Sequence, residues 1–182
     1  LACSGGGDRL SLMLGMLYHI SLNNCNKADW GTVAGISAGS LAAALISQTD
    51  VSSFKKDMEN IKELVENNVI NAATPWTRFG SLVNGVDALF YHKGLFSHKG
   101  LEDIVDKHFN LEAIKRTVLV GTYDETTSEY CSWDSRSVKD LQDLKRAVVA
   151  SCSVPVIFEP YRIKDRLYLD GSMRHLIPVN EI

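Results

Sequence analysis

Gly35-Ile36-Ser37-Ala38-Gly39 is a Gly-x-Ser-x-Gly pentapeptide, the pattern that places a serine on a sharp strand-to-helix turn. Such a turn holds the serine in a strained, exposed conformation, and the flanking glycines, Gly35 and Gly39, remove side chains that would clash there. The chemistry open to Ser37 is attack on an acyl carbonyl, which makes it the candidate nucleophile of an acyl-ester hydrolase. The helix behind the turn, starting near Ala38, adds an N-terminal dipole and unpaired N–H groups that favour an oxyanion.

A serine hydroxyl needs a base, and two kinds are open: a histidine oriented by a carboxylate, or a carboxylate acting directly. The histidines fit poorly. His19 falls in a helix before the turn, His92 and His98 flank an irregular segment, and His108 lies late in a helix, while His175 follows Asp170 closely. Asp170 is the carboxylate candidate, because Leu167-Tyr168-Leu169 delivers it at a strand end and Gly171 permits a sharp turn after it. A second loop, Ser4-Gly5-Gly6-Gly7-Asp8-Arg9, lies between a short strand and a helix, so its N–H groups can converge on an anion. A nucleotide loop would need glycine in place of Leu10, or a Gly-Lys-Ser/Thr ending, and has neither. An oxyanion hole fits, with Arg9 either holding a phosphate or bracing the loop through an ion pair.

These residues need elements to hold them. Leu10, Met13, Leu14, Leu17 and Ile20 recur at helical spacing directly after the glycine loop. Residues 33–36 read as a buried strand and 37–47, rich in Ala and Leu, as a closely packed helix. Val51, Phe54, Met58, Ile61 and Val65 mark the apolar face of a longer helix whose other face is charged and solvated. Pro75, Gly80 and Gly85 break the pattern over residues 67–93, and the aromatic stretch 76–96 reads as a cover or lid suited to acyl chains or to closing the core. Ser97 is the expected N-cap of a helix carrying Leu101, Ile104, Val105 and Phe109; strands follow at 116–122 and 129–133, a helix at 138–150 and a strand at 167–169. Interleaved strands and helices predict an α/β fold around a largely parallel sheet.

At 182 residues, with 45% hydrophobic and 23% charged residues, the chain has the length and composition of one folded domain. A formal net charge of -3 gives no electrostatic footprint for nucleic acid, so any membrane contact must be local. No apolar stretch approaches the ~20 residues that span a bilayer. Cys3, Cys25, Cys131 and Cys152 are too widely spaced for a zinc site and read as reduced thiols in a reducing compartment. The chain begins at Leu1 rather than Met, which places the expected start of translation upstream.

The chain resembles the patatin-like phospholipases, a family of lipid acyl hydrolases. Four features carry the resemblance in order: Gly5-Gly6-Gly7-Asp8-Arg9, Gly35-Ile36-Ser37-Ala38-Gly39, Ala150-Ser151-Cys152-Ser153-Val154-Pro155 and Asp170-Gly171-Ser172, with Pro178 after them. The resemblance implies a three-layer α/β/α sandwich over residues 1–182 and a Ser37–Asp170 dyad. The implied oxyanion donors come from around Gly6 and Gly7, and no metal or cofactor is implied. The implied substrate is a phospholipid or other fatty-acyl ester, met through transient contact with a membrane surface by a cytoplasmic, peripheral protein. Ser151 and Ser153 are expected to be structural. Two positions depart from the family pattern: Leu10 stands where a glycine usually closes the first motif, and Ser172 where Gly or Ala is usual. Members often continue beyond the last motif, whereas this chain stops at Ile182 as a fragment or a minimal version would. A non-catalytic lipid-binding or interaction module, and a His-dependent esterase or thioesterase using His175, stay open as alternatives.

Overall fold

The structure, a computed structural model, describes residues 1–66 and 97–178. The cover expected over 67–93 and the aromatic stretch 76–96 lie outside the described residues. The chain opens with β1 (Ala2–Cys3) and passes through the glycine loop into α1 (Leu10–Asn23). It continues through β2 (Thr32–Ile36), α2 (Ala38–Ser47) and α3 (Phe54–Glu66). After the undescribed stretch come α4 (Lys99–His108), β3 (Thr117–Asp124), β4 (Glu129–Asp134) and α5 (Leu141–Ser151). The hairpin β5 (Tyr161–Ile163) and β6 (Arg166–Asp170) closes the sheet.

Helical periodicity decides which faces are buried. α1 buries Leu10, Leu14, Leu17 and Ser21, and α3 buries Phe54, Met58 and Ile61, each set three or four residues apart. α2 is built from small residues, with Ala42, Ala43, Ala44, Ser40 and Ser47 all buried, so it can lie close against the sheet. The hydroxyls of Ser40 and Ser47 donate to the Ser37 and Ala44 carbonyls, so neither is buried unpaired. α5 starts at Leu141, later than expected, because Asp140 accepts the Gln142 N–H and caps it there. At α4, Ser97 Oγ accepts from Lys99 N at 3.2 Å as a cap would, although the N-cap position itself falls on His98.

The α/β fold expected from the sequence is present, with helices packed on a mixed sheet that has six strands among the described residues. β1, β2 and β3 run parallel, whereas β4 and β6 pair with β3 antiparallel and β5 pairs with β6 antiparallel. The register has a consequence for function. β4 pairs with β3 from Leu119 to Asp124, and this span overlaps both the β2 pairing, which ends at Ile36↔Gly121, and the β6 pairing, which begins at Thr122↔Asp170. A strand has only two edges, so β2 and β6 must share the one opposite β4, meeting tip to tip between Gly121 and Thr122.

This junction is tightly packed. A Cβ on Gly121 would lie 2.1 Å from Tyr130 Oη and 2.8 Å from Ile36 Cγ1, and one on Gly171 would lie 2.6 Å from the Gly121 carbonyl oxygen. Away from the junction, the buried Arg116 ties the start of β3 to the chain before β2 and after α2. Its Nε donates to the Thr49 carbonyl at 2.7 Å, and its Nη1 to the Ala28 and Trp30 carbonyls at 2.6 and 2.9 Å. We expect Gly121→Ala to destabilise the protein by about 1–3 kcal/mol through overpacking. Urea unfolding measures this; an unchanged midpoint would show that the strand tips can part.

Candidate active site

β2 aims Ser37 and β6 aims Asp170, and the shared edge of β3 brings the two strand ends together. Ser37 has φ 55° and ψ −130°, a left-handed backbone held by a non-glycine residue. Such conformations cost about 1–3 kcal/mol and persist only where the surroundings over-determine them. Here they do. A Cβ on Gly35 would sit 2.0 Å from the Gly39 carbonyl oxygen, and one on Gly39 would sit 2.3 Å from the Cys3 carbonyl oxygen. Both glycines of the pentapeptide are therefore required by close backbone approach, to each other and to β1.

Asp170 is fully buried. Its Oδ1 accepts the Ser172 N–H at 2.8 Å, while Oδ2 has no hydrogen-bond partner. Burial pushes its carboxyl above the usual range, and the Ser37 hydroxyl and the Ser172 backbone and side chain pull part of the way back. The Ser37 hydroxyl thus acts on the carboxylate without completing a hydrogen bond of standard geometry, and the open acceptor, Oδ2, is on the group a serine proton would need.

The glycine loop lies against this pair: a Cβ on Gly5 would be 3.3 Å from Ser37 Cβ and 3.7 Å from Ser172 Cβ. The loop's expected anion donors divide into two groups. Gly5 is corrected as a donor, because its N–H donates to the Leu176 carbonyl at 3.1 Å. The Arg9 N–H is likewise turned inward, to the Gly6 carbonyl at 3.0 Å, and its side chain is exposed. The N–H groups of Gly6 and Gly7, and that of Ala38 in the first turn of α2, meet no backbone acceptor among the described residues. The Asp8 side chain lies outside the described part. Leu10 points into the hydrophobic core and its N–H donates to the Gly7 carbonyl.

No described histidine is hydrogen-bonded to Ser37. His175 is exposed, with its ring against the edge of Tyr130 at 4.8 Å. His98 is buried against Phe158, with Nε2 2.9 Å from Ser153 Oγ, and His19 pairs with Asn23. His92 lies outside the described residues. Among the described residues no group of three or more His, Cys, Asp or Glu side chains could hold a metal ion, and no helix is long and apolar enough to cross a membrane. The close engagement of Ser151, Cys152 and Ser153 with the pair is not visible from sequence spacing. A run of small polar residues after a buried helix and before a proline was the only signal.

Fold and site together define an α/β protein with a strained elbow serine facing a buried carboxylate. The chain belongs to the patatin-like phospholipases, whose family model matches residues 1–182. The crystal structure of VipD from Legionella pneumophila has a similar fold, with a TM-score of 0.55 at 16% identity, over 94% of this chain and 45% of that one. This chain thus spans less than half the length of that protein. No curated protein matches the sequence.

Because the Asp170 carboxyl is raised in the folded state, the native protein binds more protons than the unfolded chain between the two pKa values. Stability then falls as pH rises through that window, and above it the whole penalty of the buried charge is present. Asp170→Asn keeps the Oδ1 acceptor and removes the charge. Its melting temperature is expected to exceed that of the native protein at pH 8, with the difference vanishing below the ordinary aspartate value of about 3.9. A variant that melts lower at pH 8 would show that the charge is stabilised rather than strained.

Proposed function

We propose that this protein is a lipid acyl hydrolase of the phospholipase A or lysophospholipase type, with Ser37 as nucleophile and Asp170 as its base. The observation that carries the reading is Asp170 Oδ2, a buried carboxylate oxygen without a partner beside the strained Ser37. In the proposed reaction Ser37 Oγ attacks the ester carbonyl as its proton passes to Asp170, and the N–H groups of Gly6, Gly7 and Ala38 receive the developing oxyanion. The C–O bond to the alcohol then breaks, and Asp170 returns the proton to the leaving oxygen. Water then attacks the acyl-serine as its proton passes to Asp170, and the fatty acid leaves as Asp170 returns that proton to Ser37 Oγ.

A lipid substrate is supported by family membership and by exposed apolar residues on the two loops that follow the site. Val156 and Ile157 come after Ser153, and Met173, Leu176 and Ile177 come after Asp170. Side chains so placed suit brief contact with a membrane surface. The free thiols of Cys3, Cys131 and Cys152 agree with a reducing, cytoplasmic setting; the Cys25 side chain lies outside the described part.

Purified protein is expected to release fatty acid from phospholipid or lysophospholipid vesicles, with Ser37→Ala and Asp170→Asn each lowering kcat by about a thousandfold or more. Full activity in both variants would sink the dyad, and failure of a fluorophosphonate to label Ser37 would favour a non-catalytic lipid-binding module. With Asp170 as base, kcat/KM should fall with decreasing pH through a pKa above the ordinary aspartate range. A histidine base would instead reveal itself as a single His variant without turnover.

A further inference from the structure

Ser37 and Asp170 come from strands that meet tip to tip, so no ladder bond joins their backbones. Ile36 is the last β2 residue paired with β3, and the next β3 position, Thr122, is already paired with Asp170. The Ser37 backbone therefore has to find its hydrogen bonds elsewhere. Its N–H donates to Ser151 Oγ at 2.8 Å, and that hydroxyl donates onward to the Gly121 carbonyl at 2.6 Å. Its carbonyl accepts from Ser40 N at 2.8 Å and Ser40 Oγ at 2.6 Å in the first turn of α2, and from Cys152 Sγ at 3.2 Å. Asp170 N–H donates to the Ser153 carbonyl at 3.0 Å. Three consecutive residues at the end of α5 thus grip the backbones of both site residues.

We propose that Ser151 and Cys152, acting with the Ser153 carbonyl, are positioning residues that hold Ser37 in its left-handed conformation and fix its separation from Asp170. The proposal rests on the dyad reading and adds to it the device that sets the dyad's geometry. Chain connectivity makes the device rigid, since the contacts to Ser37 and the contact to Asp170 leave from adjacent residues at one helix end. Ser153 is anchored in turn: its hydroxyl donates to the Val149 carbonyl at 3.0 Å and so accepts from His98 Nε2 at 2.9 Å. Cys152 is half-buried as a residue, but its sulfur is enclosed. Burial and the nearby Asp170 push the thiol up to about 12, so it remains a protonated donor. Misplacing a nucleophile by about 1 Å is enough to cost about a hundredfold in rate.

The test compares Ser151→Ala, Cys152→Ala and Cys152→Ser in the full chain, using turnover of p-nitrophenyl butyrate, the rate of fluorophosphonate labelling and the melting temperature. Ser151→Ala is expected to lower kcat about a hundredfold, with KM changed by less than about threefold. Cys152→Ala should lower kcat about tenfold, and Cys152→Ser, whose hydroxyl can donate to the same carbonyl, should recover most of that loss. Should Ser151→Ala fail to fold, the Cys152 pair decides. A folded Ser151→Ala with native kcat, or a Cys152→Ser as slow as Cys152→Ala, would overturn the proposal while leaving the dyad standing. A native protein inert to both ester and probe would remove the dyad, and the positioning role with it.

Discussion

One edge of β3 has to serve two partners that arrive from opposite ends of the molecule, and the rest of the site follows from that constraint. β2 occupies the edge up to Gly121 and β6 takes over at Thr122. Neither strand can continue past the other. The chain after Ile36 has to leave the sheet at once, which it does through the left-handed Ser37 into α2. The chain after Asp170 likewise leaves through a 3-10 turn at Gly171. The glycines at the junction are the sequence's answer to backbones brought within van der Waals contact: a side chain on Gly35, Gly39, Gly121 or Gly171 would overlap a neighbour. In the described structure the carboxylate faces the serine with no imidazole between them.

Unfavourable features collect at this point while the surroundings are conservative. A strained serine, a buried carboxyl raised above its usual range and an unpartnered acceptor oxygen all lie within the tips of two strands. Around them are fully buried, closely packed residues: Val118 and Val120 of β3, Ala42 and Ala43 of α2, and Leu144, Ala147 and Val148 of α5. Local strain of this kind survives because the rigid neighbourhood leaves the strained residues no lower-energy arrangement.

What the sequence made legible was local. The Gly-x-Ser-x-Gly turn, the helix after the glycine loop and the strand ending in Asp170 follow from spacing and turn chemistry, and each is present within a few residues of the expected bounds. What it hid was long-range or weakly patterned. β5 has three residues and turns through Lys164 and Asp165, with Lys164 at φ 54°, in place of the Asn-Gly that advertises a hairpin. The Gly5 N–H looked available because its acceptor, the Leu176 carbonyl, lies at the far end of the chain. Ser151 is structural, as expected, but spacing does not show that its hydroxyl meets the Ser37 N–H, 114 residues away. Periodicity fixes which face of an element is buried; it does not say which distant backbone group a buried hydroxyl will meet.

The two departures from the family pattern become intelligible on the same terms. Leu10 stands where a glycine is usual, and a side chain there would matter only if it leaned over the loop's N–H groups. It does not, because α1 begins at Leu10 and turns its side chain into the core beside Leu14 and Leu17, while the Gly6 and Gly7 N–H groups stay clear of backbone acceptors. Ser172 is the more consequential. Its N–H donates to Asp170 Oδ1, a bond any residue but proline could supply, but its side chain also draws the Asp170 carboxyl down toward the ionised form, which Gly or Ala could not do. Burial opposes ionisation here, and the Ser172 side chain favours the charged state that the proposed role of Asp170 calls for. The departure therefore leaves intact the backbone bond that holds the carboxylate.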